Sequence, residues 1–237
     1  MIKKVILCVF LSSWLTAAWG TEAIRARMEK MFPGETVSSI SPTPIPGVFE
    51  VMLGTSLFYM EENGAFAIQG DLIDLEKRVN VSDARRAVAR TEAFGKLNRA
   101  DLIEFGPPED KTRATLYVYT DIDCGYCRKL HREVPALNEA GIKVAYLAFP
   151  RSGLNGDSYK KAVGVWCAEN RQEALTAAKS GEDVKSLACD NPVASQFELG
   201  RSMGVGGTPA VYTETGEELG GFIPAERLIK MLNEGRI

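Results

Sequence analysis

The stretch Thr120-Asp-Ile-Asp-Cys-Gly-Tyr-Cys-Arg-Lys-Leu-His131 contains two cysteines three residues apart. The β-branched and aromatic residues 114–119 before it predict a strand, and residues 124–137 predict a helix. Cys124 therefore falls at a helix N-terminus, where unpaired backbone N–H groups and the helix dipole favour a thiolate. Because the thiolate is the nucleophile in thiol–disulfide exchange, we expect Cys124 to attack. Cys127, one turn deeper and expected to be less exposed, suits a resolving thiol.

Charged residues of both signs surround this pair. Arg128 and Lys129 add positive charge close to Cys124, whereas Asp121 and Asp123 oppose it. Together with the helix N-terminus, they predict a pKa of the Cys124 thiol below its ordinary value, without fixing the size of the shift.

Other interpretations of the two cysteines also have to be weighed. A structural disulfide between Cys124 and Cys127 is one, although this spacing at a helix start is typical of a reactive pair. A metal site is another, because His131 could face the same side of the helix. The sequence holds no second C-x-x-C and no other histidine, so we expect neither a metal nor a cofactor. A Cys–His hydrolase is rejected, because His131 lies about two turns from Cys124.

A second motif, Gly206-Gly-Thr-Pro-Ala-Val211, stands immediately before a predicted strand. A cis proline is useful at such a position. If this loop lies beside the cysteines, the backbone of Thr208 is free to pair with an extended substrate, as in β-augmentation. We therefore assign substrate binding to Thr208 and Pro209, together with Gly125 and Tyr126. A phosphate-binding loop is disfavoured, because a strand and not a helix follows the glycines.

The chain around these motifs alternates strands and helices. A strand is predicted at residues 143–149, and helical patterns follow at 158–169, 172–179 and 192–203. A strand pair (210–213 and 218–222) and a helix (225–233) close the chain. This order predicts an α/β thioredoxin-like domain over residues 106–237, with a helical insertion in its middle.

The residues before this domain predict a smaller α+β domain over residues 21–80. A short amphipathic helix (22–31) and a proline-rich break (41–47) precede three short strands, at 48–53, 56–60 and 65–69. Glu62-Asn-Gly64 is a hairpin signal between the last two strands. The core of such a domain is thin, so we expect it to gain stability by packing on a second copy.

A linker is predicted between the two domains, over residues 81–105. Its first part, residues 81–97, has a helical pattern with Ser82 as the expected N-cap. Apolar positions are sparse in this pattern, which is typical of a solvent-exposed helix that bridges domains.

The first twenty residues predict a secretory signal peptide. Lys3 and Lys4 precede an apolar run (5–15), and a small-residue segment ends at Gly20, where we place cleavage, with Ala18 as the alternative. A membrane anchor is disfavoured because the run is too short to span a bilayer, and we expect no membrane insertion elsewhere.

Composition and charge exclude several classes of protein. Among 237 residues, 45% are hydrophobic and 25% are charged, which is ordinary for a globular chain and argues against extensive disorder. The formal net charge is −3, and it becomes −5 when the leader with its two lysines is removed. A mildly acidic chain gives no reason to expect nucleic acid as a partner.

Four cysteines remain after loss of the leader, which carries Cys8. An even number in an exported chain indicates disulfide chemistry. Three pairings are possible, and the spacing favours Cys124 with Cys127 and Cys167 with Cys189. We interpret the second pair as a structural bridge that holds the helical insertion; a second redox pair is the alternative.

In combination, these residues resemble the DsbC family of bacterial periplasmic disulfide isomerases. Four stretches carry the resemblance, which extends through the N-terminal domain and the linker. Two positions depart from the family pattern: Arg128, where a histidine is common, and Pro135, which we expect to kink or end the active-site helix. The four stretches are Tyr119–His131, Tyr146-Leu-Ala-Phe-Pro-Arg151, Trp166-Cys-Ala168 and Gly207–Val211.

The resemblance implies a periplasmic, V-shaped homodimer that reshuffles wrong disulfides in misfolded exported proteins, with chaperone-like substrate binding. Residues 21–80 would form an α+β dimerisation domain of the cystatin-like type, and the 81–97 helix would form the hinge. Cys124 would be the attacking thiol, facing a shared apolar cleft and kept reduced by a membrane reductase of the DsbD type. Cys127 would resolve, and Thr208-Pro209 would bind substrate. A thiol oxidase or sulfenic-acid reductase on the same scaffold is the alternative function, and a non-catalytic chaperone or metal carrier is a more distant one.

Overall fold

A computed structural model describes the backbone of residues 12–237 and the side chains of residues 20–237. These residues form two compact units, and the boundary between them along the chain falls between Arg86 and Ala87. Residues 1–11 of the predicted signal peptide lie outside the described residues, and residues 12–20 form the start of helix α1 (Ser12–Met31). Within the described range, no helix combines the length and the apolar character needed to cross a membrane.

The first unit contains a four-stranded antiparallel sheet in the order β1-β2-β3-β4. A two-stranded pair, β5 and β6, follows it. The sequence reasoning missed β1, because its serine-rich residues overlap the proline-rich break and lack a clear apolar alternation. The strands are β1 (Val37–Pro42), β2 (Val48–Leu53), β3 (Ser56–Glu61), β4 (Ala67–Ile68), β5 (Ile73–Asp74) and β6 (Val79–Asn80).

The core of this unit lies between α1 and the sheet. Ile24 and Met28, one helical turn apart, are fully buried and pack with apolar residues of β1, β2 and β3. Arg25 of the same helix donates to the carbonyl oxygen of Val37 at 2.8 Å. Six buried residues make up this cluster, so the core is as thin as the length of the segment predicts.

Helix α2 (Val81–Gly95) begins in the first unit. The expectation that Ser82 caps it is wrong. Asn80 fills that role, because its side-chain oxygen accepts a hydrogen bond from the backbone N–H of Asp83 at 2.9 Å. The hydroxyl of Ser82 is buried inside the helix instead, where it bonds the hydroxyl of Tyr59 at 2.6 Å and the backbone N–H of Leu72 at 2.7 Å.

The second half of α2 belongs to the second unit and is not the solvent-exposed helix that we expected. Phe94 is buried and stacks on Tyr117 with ring centroids 4.2 Å apart. Arg90 is also buried and pairs with Glu218 at 3.0 Å. One aromatic anchor and one paired arginine are therefore enough to bury a face of a helix whose apolar positions are sparse.

The second unit is built on a five-stranded sheet in the order β11-β10-β8-β9-β7. The central strands β8 and β9 are parallel, and the other pairs are antiparallel. Two buried apolar clusters pack against this sheet. The strands are β7 (Ile103–Phe105), β8 (Ala114–Thr120), β9 (Ile142–Ala148), β10 (Ala210–Thr213) and β11 (Glu218–Gly220).

Strand β7 was missed because three residues are too few for a period-2 pattern to show. It lies within the segment predicted as linker and pairs antiparallel with β9. A thioredoxin-like sheet is thereby extended on the side of β9 by residues that precede the predicted domain.

Helices fill the connections of this sheet. We expected Pro135 to kink or end the helix between β8 and β9; the helix continues through it to Glu139, so Pro135 does not end the helix. Val134 and Leu137 are buried on either side of the proline, and their packing holds the helix across it. The helices are α3 (Gly125–Glu139), α4 (Asp157–Trp166), α5 (Arg171–Ser180), α6 (Val193–Ser202) and α7 (Ala225–Asn233).

A disulfide joins Cys167 to Cys189 inside the helical insertion. The two Cα atoms are 5.7 Å apart, and the bridge closes a sequence separation of 22 residues. It ties the end of α4 to the segment before α6, on either side of α5.

Candidate active site

The loop from β8 to α3 places the two remaining cysteines. Cys124 is the N-cap of α3, and its extended backbone (φ −80°, ψ 119°) lets its sulfur face the first turn of the helix. The buried carboxylate of Asp121 accepts a hydrogen bond from the backbone N–H of Asp123 at 2.7 Å. The backbone carbonyl oxygen of Asp121 accepts a second hydrogen bond, from the backbone N–H of Cys124, at 3.2 Å. This turn holds Cys124 at the helix N-terminus.

The sulfur atom of Cys124 faces two groups. The backbone N–H of Cys127 donates to it at 3.4 Å, and it lies 3.1 Å from the carbonyl oxygen of Thr208. Both cysteines are free thiols. Cys127 is the less exposed of the two, as predicted, but the difference is small, because Cys124 is only 2% exposed and Cys127 is 1% exposed. Cys124 is covered because the Thr208 loop lies against its sulfur.

The surroundings lower the pKa of the Cys124 thiol, in the predicted direction. A hydrogen bond from the Cys127 side chain is the largest cause, and burial opposes it. Further stabilisation of the thiolate comes from the Thr208 side chain, the Cys127 backbone N–H and the charge of Arg151. Cys124 is therefore the thiol of the pair that ionises first.

The pKa of the Cys127 thiol moves the other way. Burial raises it most, and the hydrogen bond to Cys124 raises it further. Of the two thiols, Cys124 is therefore the more readily ionised, and Cys127 holds its proton more tightly.

Arg151 supplies the positive charge that acts on Cys124. Its side chain and backbone N–H both reach the Asp121 carboxylate, at 3.1 and 2.8 Å. The two basic residues singled out in the sequence point elsewhere. Arg128 donates to the carbonyl oxygen of Ile122 at 3.2 Å, and the Lys129 ammonium lies 4.5 Å from the ring centroid of Phe222.

The structure brings the four predicted substrate-binding residues to the same place as the cysteines. The Thr208–Pro209 peptide bond is cis. Within the described residues, the buried hydroxyl of Thr208 makes no hydrogen bond of standard length and angle, but it lies close enough to the Cys124 sulfur to lower the pKa of that thiol. Gly125 and Tyr126 are exposed beside Cys124.

His131 does not face the sulfur atoms. It is 8% exposed, and its two ring nitrogens bond the hydroxyls of Tyr146 at 3.1 Å and Thr176 at 3.0 Å. Burial lowers its pKa to about 4, so the ring is neutral near pH 7. Among the described residues, no three His, Cys, Asp or Glu side chains lie together in a way that could hold a metal ion. His131 is a packing residue.

Sequence reasoning missed one charged group beneath the site, Lys179 of α5. Its ammonium is buried and donates to the Thr120 hydroxyl at 2.8 Å and to the carbonyl oxygen of Asp121 at 2.6 Å. A signal was present in the sequence, because Lys179 stands four residues after the buried Leu175 and hence on the apolar face of its helix.

Comparison with known proteins agrees with this geometry. Residues 101–236 match the family profile of a thioredoxin-like domain, and residues 16–83 match that of the disulfide bond isomerase protein N-terminal domain. A solved disulfide interchange protein from Neisseria gonorrhoeae superposes with a TM-score of 0.52 at 26% identity, covering 59% of this chain and 99% of that one. The thiol-disulfide exchange protein α-DsbA2 of Wolbachia pipientis, at 17% identity and a TM-score of 0.51, shares the fold over 66% of this chain and 99% of its own.

The fold and these matches define a thiol:disulfide interchange enzyme of the thioredoxin-like class. Thiol:disulfide interchange protein DsbC of Escherichia coli strain K12 is 35% identical over 90% of this chain and 87% of its own length. The DsbC protein of Dickeya dadantii is 31% identical over 98% of this chain and 96% of its own. The chain belongs to the DsbC family.

Proposed function

We propose that the chain is a disulfide isomerase in which Cys124 attacks and Cys127 resolves. The observation that carries this proposal is the place of Cys124 as the N-cap of α3, where its sulfur accepts a hydrogen bond from the backbone N–H of Cys127 at 3.4 Å. The pKa values of the two thiols shift in opposite directions accordingly. The Cys124 thiolate attacks a wrong disulfide of the substrate, and a mixed disulfide forms while one substrate sulfur leaves as a thiolate. A substrate thiol then attacks the substrate sulfur of the mixed disulfide and displaces Cys124, which leaves as a thiolate. Alternatively, Cys127 attacks the Cys124 sulfur and displaces the substrate thiolate.

The loop of Thr208 and Pro209 is proposed to bind the substrate backbone. Support comes from the Thr208 carbonyl oxygen, which lies 3.1 Å from the Cys124 sulfur and points to the place where a substrate disulfide must arrive. An exposed Tyr126 ring, 6.1 Å from the ring of Phe222, adds apolar surface beside Gly125. Such a surface suits misfolded chains that expose apolar residues, and it supports chaperone-like binding as a second activity.

Homodimerisation through the first unit is part of the same proposal. The unit exposes large apolar side chains that its thin core does not use, among them Phe66 (74% exposed), Ile68 (65%) and Leu75 (82%). We infer that a second copy covers them. Helix α2, which begins in one unit and ends in the other, is the proposed hinge.

The periplasm is the proposed compartment, with residues 1–20 as a cleaved signal peptide. The Cys167–Cys189 bridge fits an oxidising compartment. Isomerisation needs Cys124 reduced there, so a membrane reductase of the DsbD type is the proposed electron donor and misfolded exported proteins are the proposed substrates.

Trapping of mixed disulfides tests the two cysteine roles. A Cys127→Ala variant is expected to accumulate a covalent complex with a disulfide-containing protein, because the resolving thiol is missing. A Cys124→Ala variant is expected to form none. Non-reducing electrophoresis after acid quenching measures both, and equal trapping by the two variants would refute the assignment.

A further inference from the structure

Lys179 is a buried charge that the exchange reaction, as described so far, does not use. The residue is 4% exposed, although a buried ammonium is costly unless its donors are bonded. Two of its donors reach the end of β8, at the Thr120 hydroxyl (2.8 Å) and the Asp121 carbonyl oxygen (2.6 Å). A methionine or leucine would fill the same space without this cost.

The same two residues, Thr120 at the end of β8 and Asp121 directly after it, also act on Cys127. A hydrogen bond to the Thr120 side chain and one to the Asp121 backbone both lower the pKa of the Cys127 thiol, and the charge of Lys179 lowers it as well. Thr120 and Asp121 therefore interact with both the Lys179 ammonium and the Cys127 thiol.

Burial lowers the pKa of Lys179 to about 8, so most of its side chains still carry the proton and the positive charge at neutral pH. The ionisable groups that act on it come from the end of β8 and from α3. The thiols of Cys127 and Cys124 and the carboxylate of Asp121 favour the charged form of Lys179. The guanidinium of Arg128 disfavours it. The charge of Lys179 in turn helps to keep the imidazole of His131 neutral.

We propose that Lys179 is a positioning residue for the second half of exchange: acting through Thr120, its ammonium favours the thiolate of Cys127 when Cys127 attacks the mixed disulfide. This inference rests on the proposed roles of the two cysteines. In the mixed disulfide the Cys124 sulfur is bonded and carries no charge, so the hydrogen bond that holds the proton on Cys127 in the free enzyme is lost. The ammonium of Lys179 remains and acts on the thiol that must now ionise.

The step balances without a further reactant. The Cys127 thiol loses its proton to water, and its thiolate forms a bond to the Cys124 sulfur. The bond between Cys124 and the substrate sulfur breaks, and the substrate leaves as a thiolate with the electron pair. The two cysteines are oxidised by two electrons, and the substrate disulfide is reduced.

Reaction of the reduced protein with the aromatic disulfide DTNB separates the attack by Cys124 from the later attack by Cys127. Attack by Cys124 releases one thionitrobenzoate, and attack by Cys127 on the mixed disulfide releases a second, so absorbance at 412 nm rises in two phases. We expect Lys179→Met and Lys179→Gln to slow the second phase about tenfold at neutral pH and to move its pH profile upward by about one unit. The first phase should change less than about threefold, which also shows that the variants are folded.

Lys143→Met is the matched control. Lys143 is a second buried lysine, on β9, whose ammonium pairs with Glu109 at 2.5 Å. The Lys143→Met variant should show both phases of the DTNB reaction at the wild-type rates. The glutamine variant keeps a hydrogen-bond donor without the charge, so a normal second phase in Lys179→Gln would overturn the inference. A second phase that is unchanged in Lys179→Met, or slowed equally by Lys143→Met, would also overturn it. Failure of the first phase in the wild type would instead refute the cysteine roles.

Discussion

Cys124 and Cys127 carry the same side chain three residues apart, and yet their pKa values move in opposite directions. The cause lies in the direction of one hydrogen bond and in unequal desolvation. Cys124 receives donors from Cys127, Thr208 and the first turn of α3, whereas Cys127 donates into the site and is buried beneath it. At the scale of single residues, function is therefore set by which sulfur is surrounded by donors.

Removal of the Cys127 thiol should raise the pKa of Cys124, because the largest stabilising contact of its thiolate is lost. Thiolate absorbance at 240 nm, followed against pH, is expected to show its midpoint shifted to higher pH in Cys127→Ala. Cys127→Ser keeps a donor and should shift it less. Identical midpoints in the wild type and Cys127→Ala would contradict this explanation.

His131 should make stability depend on pH. Its pKa is lowered from 6.5 to about 4 in the folded chain, so on acidification the unfolded chain takes up the proton first. The free energy of unfolding is therefore expected to fall as the pH drops from 6.5 towards 4, by up to about 3 kcal/mol from this residue. Urea denaturation against pH measures it, with His131→Gln as the comparison. Parallel curves for the two proteins would count against the prediction.

Much of the site was readable from the sequence at this scale. The positions of Cys124 and Cys127 follow from local strand and helix patterns, and Thr208 and Pro209 follow from a motif before a strand. Lys179 and Arg151 act through contacts with Thr120 and Asp121 that are far away in the sequence, 58 or 59 residues for the first and 30 for the second. The helical pattern places Lys179 on a buried face, but no local pattern shows which distant residues it contacts.

At the scale of elements, the helical insertion depends on the Cys167–Cys189 bridge. The chain-entropy model gives a loop of this length about 3 kcal/mol of stabilisation. Replacement of both cysteines by alanine should lower the free energy of unfolding by about that amount, and leave the DTNB reaction of Cys124 intact. Urea denaturation provides the measurement. An unchanged midpoint would show that the bridge is not structural, and loss of Cys124 reactivity would show that it supports the site directly.

Strands β1 and β7 were not predicted from the sequence, and the physical reason is the same for both. Strand β1 is rich in serine and proline, and β7 has only three residues, so pairing with β2 and β9 stabilises both and their own composition does not. Strand propensity depends on such context more than helix propensity does. The exposure of α2 was misjudged for the same reason, since a stack of Phe94 on Tyr117 cannot be seen in a helical pattern.

At the scale of the whole molecule, the proposed dimer accounts for the apolar surface of the first unit. Phe66→Asp combined with Leu75→Asp should convert a dimer into monomers, because charge would have to be buried in the interface. Sedimentation equilibrium distinguishes the two states. Leu187→Asp, at an exposed apolar position of the second unit, is the control and should remain dimeric. A monomeric wild type, or a dimer that tolerates the double change, would contradict the proposal.

The central claim is that the Cys124 site reshuffles disulfides. Its most direct test is reactivation of scrambled ribonuclease by catalytic amounts of the chain without residues 1–20, in a mildly reducing buffer, beside Cys124→Ser. We predict recovery of ribonuclease activity with the wild type and none above background with the variant. Recovery with neither protein, while both are soluble and dimeric, would contradict isomerisation and favour a thiol oxidase or sulfenic-acid reductase; equal recovery with both would remove Cys124 from the reaction.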